Sequence, residues 1–280
     1  MVDIKYSQNF YINEDNLERI ISKISISSNN IVLDIGAGYG NITKVLSKYS
    51  NRVIAYELDK EYFGILKKNL SEYSNISFLN EDFLESQLPK EIYKVFSNIP
   101  FSLTSDIINK ITNIKSNLED AYLFVQKESA DRYMGIPKNT QVSSILSYIY
   151  NFTVVEQLYR GDFKPWPDVD IVILRIERKE VDMKEFELYR DFVTYIFNQM
   201  NRNVIDSFKR LFTFKQLGYI QKEVTKNKYI KPTDIPSSYY LEIYKYFKKN
   251  GLDYLNRVKG SYLKHLNMHL EREKVNRTRV

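Results

Sequence analysis

The sequence predicts an α/β domain built on a mostly parallel sheet, followed by a small, basic, all-helical domain. In residues 1–180, short apolar runs alternate with helical patterns, which is typical of βαβ units. Beyond about residue 180 the strand-like runs stop, and apolar residues recur every three or four positions. The net charge also changes, from −3 over residues 1–180 to +9 over residues 181–280. We therefore expect domains at 1–180 and 181–280, with an extension from about 251.

Seven segments of the first domain are predicted to be strands, because each is a short apolar run of the kind found in buried parallel strands. In chain order they are 31–36, 53–57, 76–80, 93–98, 121–126, 152–158 and 171–177. Helices are predicted over 16–25, 40–49, 60–72 and 103–114. The link between the last two strands contains two prolines and is too short for a helical crossover, so we expect that pair to be antiparallel.

The second domain is predicted to consist of amphipathic helices. Apolar residues follow helical spacing over 184–200 and 237–249, and again from Leu252 to Leu270. Pro236 suits the first turn of the middle helix, and Gly251 suits its end.

Composition excludes several classes of protein. The 280 residues are 43% hydrophobic and 14% aromatic, which excludes a fully disordered chain. Cysteine is absent, so a disulfide scaffold, a thiolate zinc site and a cysteine nucleophile are excluded. No signal-like segment or run of 18 apolar residues is found, so we expect a cytoplasmic protein with no membrane partner.

The two histidines, His265 and His269, are four residues apart on a predicted helix, which is a spacing seen in metal sites. The sequence offers no convincing third ligand. We therefore expect an exposed helix face here and no bound metal.

The positive charge of residues 181–280 favours a polyanionic partner, either nucleic acid or an anionic membrane surface. A solvated basic helical surface would produce the same excess. Within this region, Lys209 and Arg210 are candidates for contacts with phosphate groups.

A glycine-rich turn indicates a binding site for a nucleoside-containing cofactor. Residues 34–40 read Asp-Ile-Gly-Ala-Gly-Tyr-Gly, between a predicted strand and a predicted helix. The glycine spacing differs from that of nicotinamide dinucleotide sites. Glu57 ends the next predicted strand, where a carboxylate can bond both hydroxyls of a ribose.

Two further motifs follow the third and fourth predicted strands. Asp82 can accept a hydrogen bond from an adenine amino group and Phe83 can cover the ring, although an acidic turn after a strand is common. Asn98-Ile99-Pro100-Phe101 combines two hydrogen-bond acceptors, a rigid turn and a flat ring. This combination suits the exocyclic amine of a planar base.

Taken in order, these motifs resemble those of the S-adenosylmethionine-dependent RNA adenine-N6 methyltransferases. The opening Tyr6-Ser7-Gln8-Asn9-Phe10 is similar to that of the Erm family of 23S rRNA methyltransferases. The related small-subunit enzymes more often open with glycine-His-Phe and have Leu at the position of Ile99. Residues 162–170 (DFKPWPDVD) resemble the late motif Phe-x-Pro-x-Pro-x-Val-Asp-Ser, and the resemblance covers about residues 4–250.

The resemblance implies a Rossmann-like, seven-stranded S-adenosylmethionine-dependent methyltransferase sheet whose last strand is antiparallel, with a C-terminal all-helical domain. The implied cofactor-binding residues are Gln8, Asn9, Tyr11, Gly36, Ala37, Gly38, Glu57, Leu58, Asp82, Phe83 and Asn98. The implied catalytic residues are Asn98, Ile99, Pro100, Phe101 and Phe163, with the adenine held between Phe101 and Phe163. Arg132, Lys164, Lys209 and Arg210 are candidate RNA-binding residues.

The chain departs from the family pattern at three places. Trp166 lies where a basic residue is usual, and Ile171 replaces the usual Ser. Residues 251–280 extend beyond the typical family end. Trp166 would either stack on a base or pack on its own loop.

We therefore expect a monomeric enzyme that methylates N6 of an adenosine in the macrolide-binding region of 23S rRNA, free or in a pre-ribosomal particle. Such an activity confers resistance to macrolides, lincosamides and streptogramin B. The alternatives are a 16S rRNA adenine dimethyltransferase of ribosome assembly, a non-catalytic RNA-binding factor with the same fold, and a small-molecule methyltransferase.

Overall fold

The computed structural model describes residues 9–199 and 203–268. Their contacts divide the chain into two compact units. The first, which we call the sheet unit, comprises the described residues up to Ala130 together with Asn151–Arg178. The second, the helical unit, comprises Asp131–Tyr150 and the described residues from Lys179 onward.

Nine strands are present among the described residues. They are β1 (Phe10–Tyr11), β2 (Ile31–Ile35), β3 (Arg52–Tyr56), β4 (Ile76–Leu79), β5 (Tyr93–Asn98), β6 (Leu118–Gln126), β7 (Tyr150–Leu158), β8 (Phe163–Lys164) and β9 (Ile171–Arg178). Seven of them form one sheet in the order β4-β3-β2-β5-β6-β9-β7, which confirms the predicted seven-stranded sheet.

The strands from β4 to β6 are parallel to one another, and β9 is antiparallel to β6. The chain moves outward from β2 to β4, then returns to the other side of β2 with β5. The order of the strands therefore reverses between β2 and β5. In open α/β sheets, ligands bind at the carboxyl ends of the strands beside such a reversal.

Four helices connect the strands of the sheet unit: α1 (Glu14–Ile21), α2 (Asn41–Tyr49), α3 (Lys60–Asn69) and α4 (Thr104–Ile111). Leu17, Val45 and Leu66 come from the first three of these helices and are fully buried in one core with Val32 and Phe96 of the sheet. Leu33 and Val95, which alternate with these strand residues, are fully buried as well, so both faces of the central strands are covered, as expected of short apolar runs in a parallel sheet.

The helical unit contains α6 (Gln141–Leu146), α7 (Met183–Phe197), α8 (Val204–Phe208), α9 (Phe214–Lys226), α10 (Ser237–Asn250) and α11 (Leu255–Val258), and α5 (Lys127–Met134) leads into it. Its core is rich in aromatic rings. The ring centroids of Tyr189 and Tyr244 lie 5.3 Å apart, as do those of Phe192 and Phe247. The Tyr189 hydroxyl donates to the Ser144 carbonyl at 2.9 Å, which ties α6 to α7.

The predicted continuous helix from Leu252 to Leu270 is wrong. α11 ends at Val258, and a second helical segment begins at residue 261, after Gly260 with its positive φ of 81°. The Asp191 carboxylate of α7 accepts the N–H groups of Gly260 and Tyr262, at 2.7 and 2.9 Å. A side chain outside the segment thus satisfies its first amides, which favours a new helix start over a continuous helix.

Among the described residues, none of the helices has the length and apolar character needed to cross a lipid bilayer.

Candidate active site

Two adjoining pockets lie in the sheet unit, at the carboxyl ends of β2, β3 and β5. The smaller, of about 320 Å³, we call the Asn98 pocket; it is lined by Asn9, Phe10, Gly36, Asn98, Ile99, Pro100 and Phe101. The larger, of about 510 Å³, we call the Glu57 pocket. Its lining includes Gly36, Glu57, Leu58, Asp82, Phe83 and Pro100. Gly36 and Pro100 border both pockets, so the two form one continuous site.

The glycine turn after β2 forms the floor between the pockets. The N–H groups of Gly36 and Ala37 both donate to the Tyr56 carbonyl at 2.9 Å, which fixes the turn against β3. Gly38 has a φ of 54°, and a Cβ there would lie 2.7 Å from the Phe10 ring. Only glycine therefore fits at position 38, for reasons of both backbone conformation and space.

Glu57 follows β3 and is 2% exposed. One carboxylate oxygen accepts the Gly38 N–H at 2.8 Å, and the other accepts the Asp59 N–H at 2.9 Å. Burial is the main cause that raises the pKa of Glu57. Because a carboxylate has about four acceptor positions, Glu57 keeps capacity for the two hydroxyls of a ribose.

Asp34, at the end of β2, stabilises the strand end from which the same turn begins. It is 1% exposed and accepts hydrogen bonds from the hydroxyls of Thr43 at 2.6 Å and Ser97 at 3.1 Å. Burial is the main cause that raises the pKa of Asp34 to about 6. Asp34 therefore holds β2 against α2 and β5 and does not reach either pocket.

Asp82 and Phe83 form one wall of the Glu57 pocket. The Asp82 carboxylate accepts the Leu84 N–H at 2.8 Å, and the buried Phe83 ring lies edge-on to Tyr56, with centroids 5.1 Å apart. Lys110 of α4, which the sequence did not identify, places its Nζ 5.0 Å from the Phe83 ring centroid. Its ammonium donates to the Leu84 carbonyl at 2.9 Å, so it fixes the loop that carries this wall.

The Asn98 side chain has a fixed orientation. Its Nδ2 donates to the Asn9 carbonyl at 2.6 Å, and only the amide nitrogen can donate to a carbonyl. The other end of the amide, the acceptor Oδ1, is therefore the one available to the pocket. Ile99 is 2% exposed and borders the pocket, as does the half-buried Phe101.

Asn9 connects the site to a distant part of the chain. Its side-chain amide donates to the Pro165 carbonyl at 2.9 Å, and the short strands β1 and β8 pair antiparallel beside it. The late motif is thus brought to the opening motif across more than 150 residues. The resemblance indicated that both motifs matter, but no local pattern in the sequence predicts their pairing.

Tyr11 and Phe163 are not brought to the pockets. Their rings lie edge-on with centroids 5.0 Å apart, and Phe163 is fully buried. The Tyr11 hydroxyl contacts Asn16 and Asp162 at the edge of this core, and burial raises its pKa. The expected position of Phe163, opposite Phe101 across an adenine, therefore differs from the structure, because the core encloses both faces of the ring.

The four candidate RNA-binding residues are all exposed. Lys164 lies in β8, next to the loop that Asn9 holds, and Trp166 follows it with 71% exposure. Arg132, Lys209 and Arg210 belong to the helical unit. The predicted residues Gln8 and His269 lie outside the described residues, as do Tyr6 and Ser7.

The arrangement fits a nucleoside cofactor beside a planar base. A buried carboxylate, a glycine turn and an aromatic wall suit the nucleoside, and the pocket next to them presents an oriented amide acceptor beside an aromatic ring. Within 9–199 and 203–268, no cluster of His, Asp or Glu side chains has the geometry of a metal site.

Comparisons with known proteins agree with this arrangement. Residues 2–249 match the family model described as ribosomal RNA adenine dimethylase. A ribosomal RNA small subunit methyltransferase A from Thermotoga petrophila is 33% identical over 204 residues, which are 71% of this chain and 77% of the relative.

Two further matches come from a second group of enzymes. An rRNA adenine N-6-methyltransferase from Bacillus licheniformis is 28% identical over 79% of this chain and 78% of its own length. The crystal structure of the 23S rRNA methyltransferase ErmE has the same fold, with a TM-score of 0.78 at 23% identity; the match covers 86% of this chain and all of that one. With its seven-stranded sheet, its two adjoining pockets and a match over nearly nine-tenths of its length, the chain belongs to the ribosomal RNA adenine dimethylase family of S-adenosylmethionine-dependent enzymes.

Proposed function

We propose that this enzyme adds one or two methyl groups to N6 of an adenosine in the macrolide-binding region of 23S rRNA. The observation that carries the chemistry is the orientation of Asn98. Its amide nitrogen is held by the Asn9 carbonyl, so that its oxygen accepts from an amine in the adjacent pocket.

The two pockets bind different ligands: the Glu57 pocket binds the cofactor and the Asn98 pocket binds the target adenine. Glu57 binds the ribose of the cofactor, and Asp82 and Phe83 hold its adenine. The target adenine leaves its stack in the RNA and enters the Asn98 pocket, where Phe101 covers one face. S-adenosylmethionine supplies an electrophilic methyl group on a sulfonium centre.

Asn98 Oδ1 and the Ile99 carbonyl accept the two N6 hydrogens of the target and thereby direct the nitrogen lone pair towards the methyl group. A strong general base is not required, because the sulfonium is a very good leaving group and the methylated N6 nitrogen is acidic enough to release its surplus proton to water. Most of the rate enhancement then comes from alignment and from polar groups that are already in place.

The choice of 23S rRNA is supported by the opening motif and by Ile99, both of which follow the Erm pattern. The match to ErmE, at 23% identity, concerns the fold and does not distinguish 23S from 16S rRNA. Methylation there removes an N6 donor and adds bulk where macrolides, lincosamides and streptogramin B bind, so resistance to these drugs is the proposed cellular role.

A second candidate is dimethylation of 16S rRNA during ribosome assembly. The observation that favours it is the 33% identity to a relative named as a small subunit methyltransferase. The chemistry in the pocket would be identical, so only the RNA distinguishes the two candidates.

The test is methyl transfer from labelled S-adenosylmethionine to protein-free 23S and 16S rRNA, with primer extension to locate the modified base. We expect label on 23S rRNA and a primer-extension stop at the macrolide-site adenosine. Label only on 16S rRNA would reject the 23S proposal in favour of the second candidate. Cofactor binding without transfer to free RNA or to ribosomal particles would contradict both.

A further inference from the structure

One surface of the helical unit has the composition of a contact site for RNA. It lies on residues 209–215, which connect α8 to α9 and include the first two residues of α9; we call this segment the 209–215 turn. Phe214 on this turn is 94% exposed, more than any other large apolar side chain among the described residues. A ring this exposed gains almost nothing from packing within its own chain.

The 209–215 turn is rigidly anchored. Leu211 and Phe212 in its middle are buried, and Thr213 and Gln216 form a reciprocal capping box at the start of α9. The Gln216 amide also donates to the Asn250 carbonyl at 2.7 Å. The backbone that carries Phe214 is therefore fixed, so that little conformational entropy would be lost when a partner binds.

Cationic residues lie close to Phe214 along the chain. Lys209, Arg210 and Lys215 on the turn are exposed. Arg257 of α11 donates to the Arg210 carbonyl at 2.6 Å, so the segment beyond the family match adds a fourth cation. Lys209 pairs with Asp206 at 2.7 Å, but both side chains are largely exposed, and such a surface pair yields easily to a phosphate.

We propose that Phe214 is a stacking site for an unpaired RNA base, with Lys209, Arg210, Lys215 and Arg257 as its phosphate contacts. This inference rests on the proposed function, since it concerns how the same RNA is held. Single-stranded RNA is the partner that this chemistry fits, because each base offers a flat face for an aromatic ring and each linkage carries a negative charge. A duplex, whose bases are stacked on one another, offers phosphates but no free face.

The test compares binding of two labelled RNA probes to the full chain by fluorescence anisotropy: a single strand of about 12 nucleotides and a duplex of the same length. Phe214→Ala and Phe214→Leu should each weaken binding of the single strand about 5- to 100-fold, because both lack a ring. The duplex should bind to both variants as it does to the unaltered protein. Ile230→Ala, which truncates another exposed apolar side chain of the same unit, is the matched control and should change neither.

A spectroscopic measurement checks stacking directly. Trp166 is the only tryptophan, so Phe214→Trp in a Trp166→Phe background places a single reporter on the turn. Its emission should be quenched by the single strand and unaffected by the duplex. Unchanged emission, or equal loss of both probes in Phe214→Ala, would overturn the proposal. So would Phe214 variants that bind RNA normally but change the sedimentation of the chain, since the ring would then serve a protein contact.

These measurements do not need methyl transfer. If neither rRNA is methylated while Phe214 still governs single-strand binding, the proposed function fails and the stacking site stands. If methylation is as proposed but Phe214 has no effect on either probe, the stacking site fails and the proposed function stands.

Discussion

Asn98 lies where three separate parts of the chain meet. β5 carries it, the Asn9 carbonyl orients it, and Pro165 in turn holds Asn9. The motif Asn98-Ile99-Pro100-Phe101 predicted the acceptor, but the group that selects its orientation is 89 residues away. Local sequence reveals which side chain is present, whereas its direction depends on a long-range bond.

We predict that Asn98→Ala keeps affinity for S-adenosylmethionine and loses about 10²- to 10³-fold in kcat, because the lost acceptor acts on the target amine. The measurements are calorimetric titration of the cofactor and single-turnover methylation of rRNA. Glu57→Ala is the matched comparison and should weaken cofactor binding instead. Normal turnover in Asn98→Ala would refute the assigned role.

The buried Asp34 makes stability depend on pH in a direction that follows from its raised pKa. Folding moves this pKa from 3.8 to about 6, so the folded protein holds a proton that the unfolded chain releases. The stability that this proton contributes is therefore present at low pH and is lost as the pH rises from about 4 through about 6. Two pKa units correspond to about 3 kcal/mol.

The comparison that checks this is urea unfolding of the unaltered protein and Asp34→Asn from about pH 4 to 7. Relative to the variant, the unaltered protein should lose up to about 3 kcal/mol of unfolding free energy as the pH rises from about 4 to 7, and the difference should then level off. A difference that stays constant with pH would show that Asp34 does not titrate in this range.

Among the secondary-structure elements, the strands and the glycine turn were the most predictable parts. The run Ile31–Ile35 is apolar because both faces of β2 are covered, and the glycines after it are where φ becomes positive. The pair β1–β8 was not predicted, because two-residue strands carry no periodic signal. The burial of Phe163 follows from that pairing and could not be predicted from the sequence either.

We predict that Gly38→Ala disrupts the glycine turn, since the added methyl group would meet the Phe10 ring at 2.7 Å and φ is 54°. It should cost about 1–3 kcal/mol of unfolding free energy and weaken cofactor binding. Gly64→Ala is the control, because Gly64 lies in α3 with open space around its Cα; there alanine should stabilise by up to about 1 kcal/mol. Equal effects of the two substitutions, by thermal unfolding and cofactor titration, would contradict this account of the turn.

At the scale of the whole molecule, charge is distributed unevenly. Residues 181–280 carry a net charge of +9, and the Glu57 and Asn98 pockets lie in the other unit. The sequence showed the charge asymmetry and the change from strands to helices. It did not show that Asp131–Tyr150 packs with the later helices, as in the bond from the Asn139 amide to the Ile235 carbonyl at 2.6 Å.

We predict that salt weakens RNA binding steeply and leaves cofactor binding almost unchanged. RNA binding to several cations releases a comparable number of counterions, so affinity should fall about 10- to 1,000-fold between 50 and 200 mM salt. Salt should affect cofactor binding much less, because Glu57, the carboxylate assigned to the ribose, is 2% exposed and buried groups are screened little by salt. Titrations of labelled rRNA and of S-adenosylmethionine over this range measure both. An RNA affinity that is insensitive to salt would instead favour a small-molecule substrate.

The bond from Asn9 to Pro165 has a consequence for how the two ligands influence each other. One residue, Asn9, borders the pocket, orients Asn98 and fastens the loop that carries Lys164 and Trp166. A ligand that stabilises Asn9 in this position should also stabilise that loop. We therefore expect S-adenosylmethionine and RNA to be linked ligands, each tightening the binding of the other by the same factor.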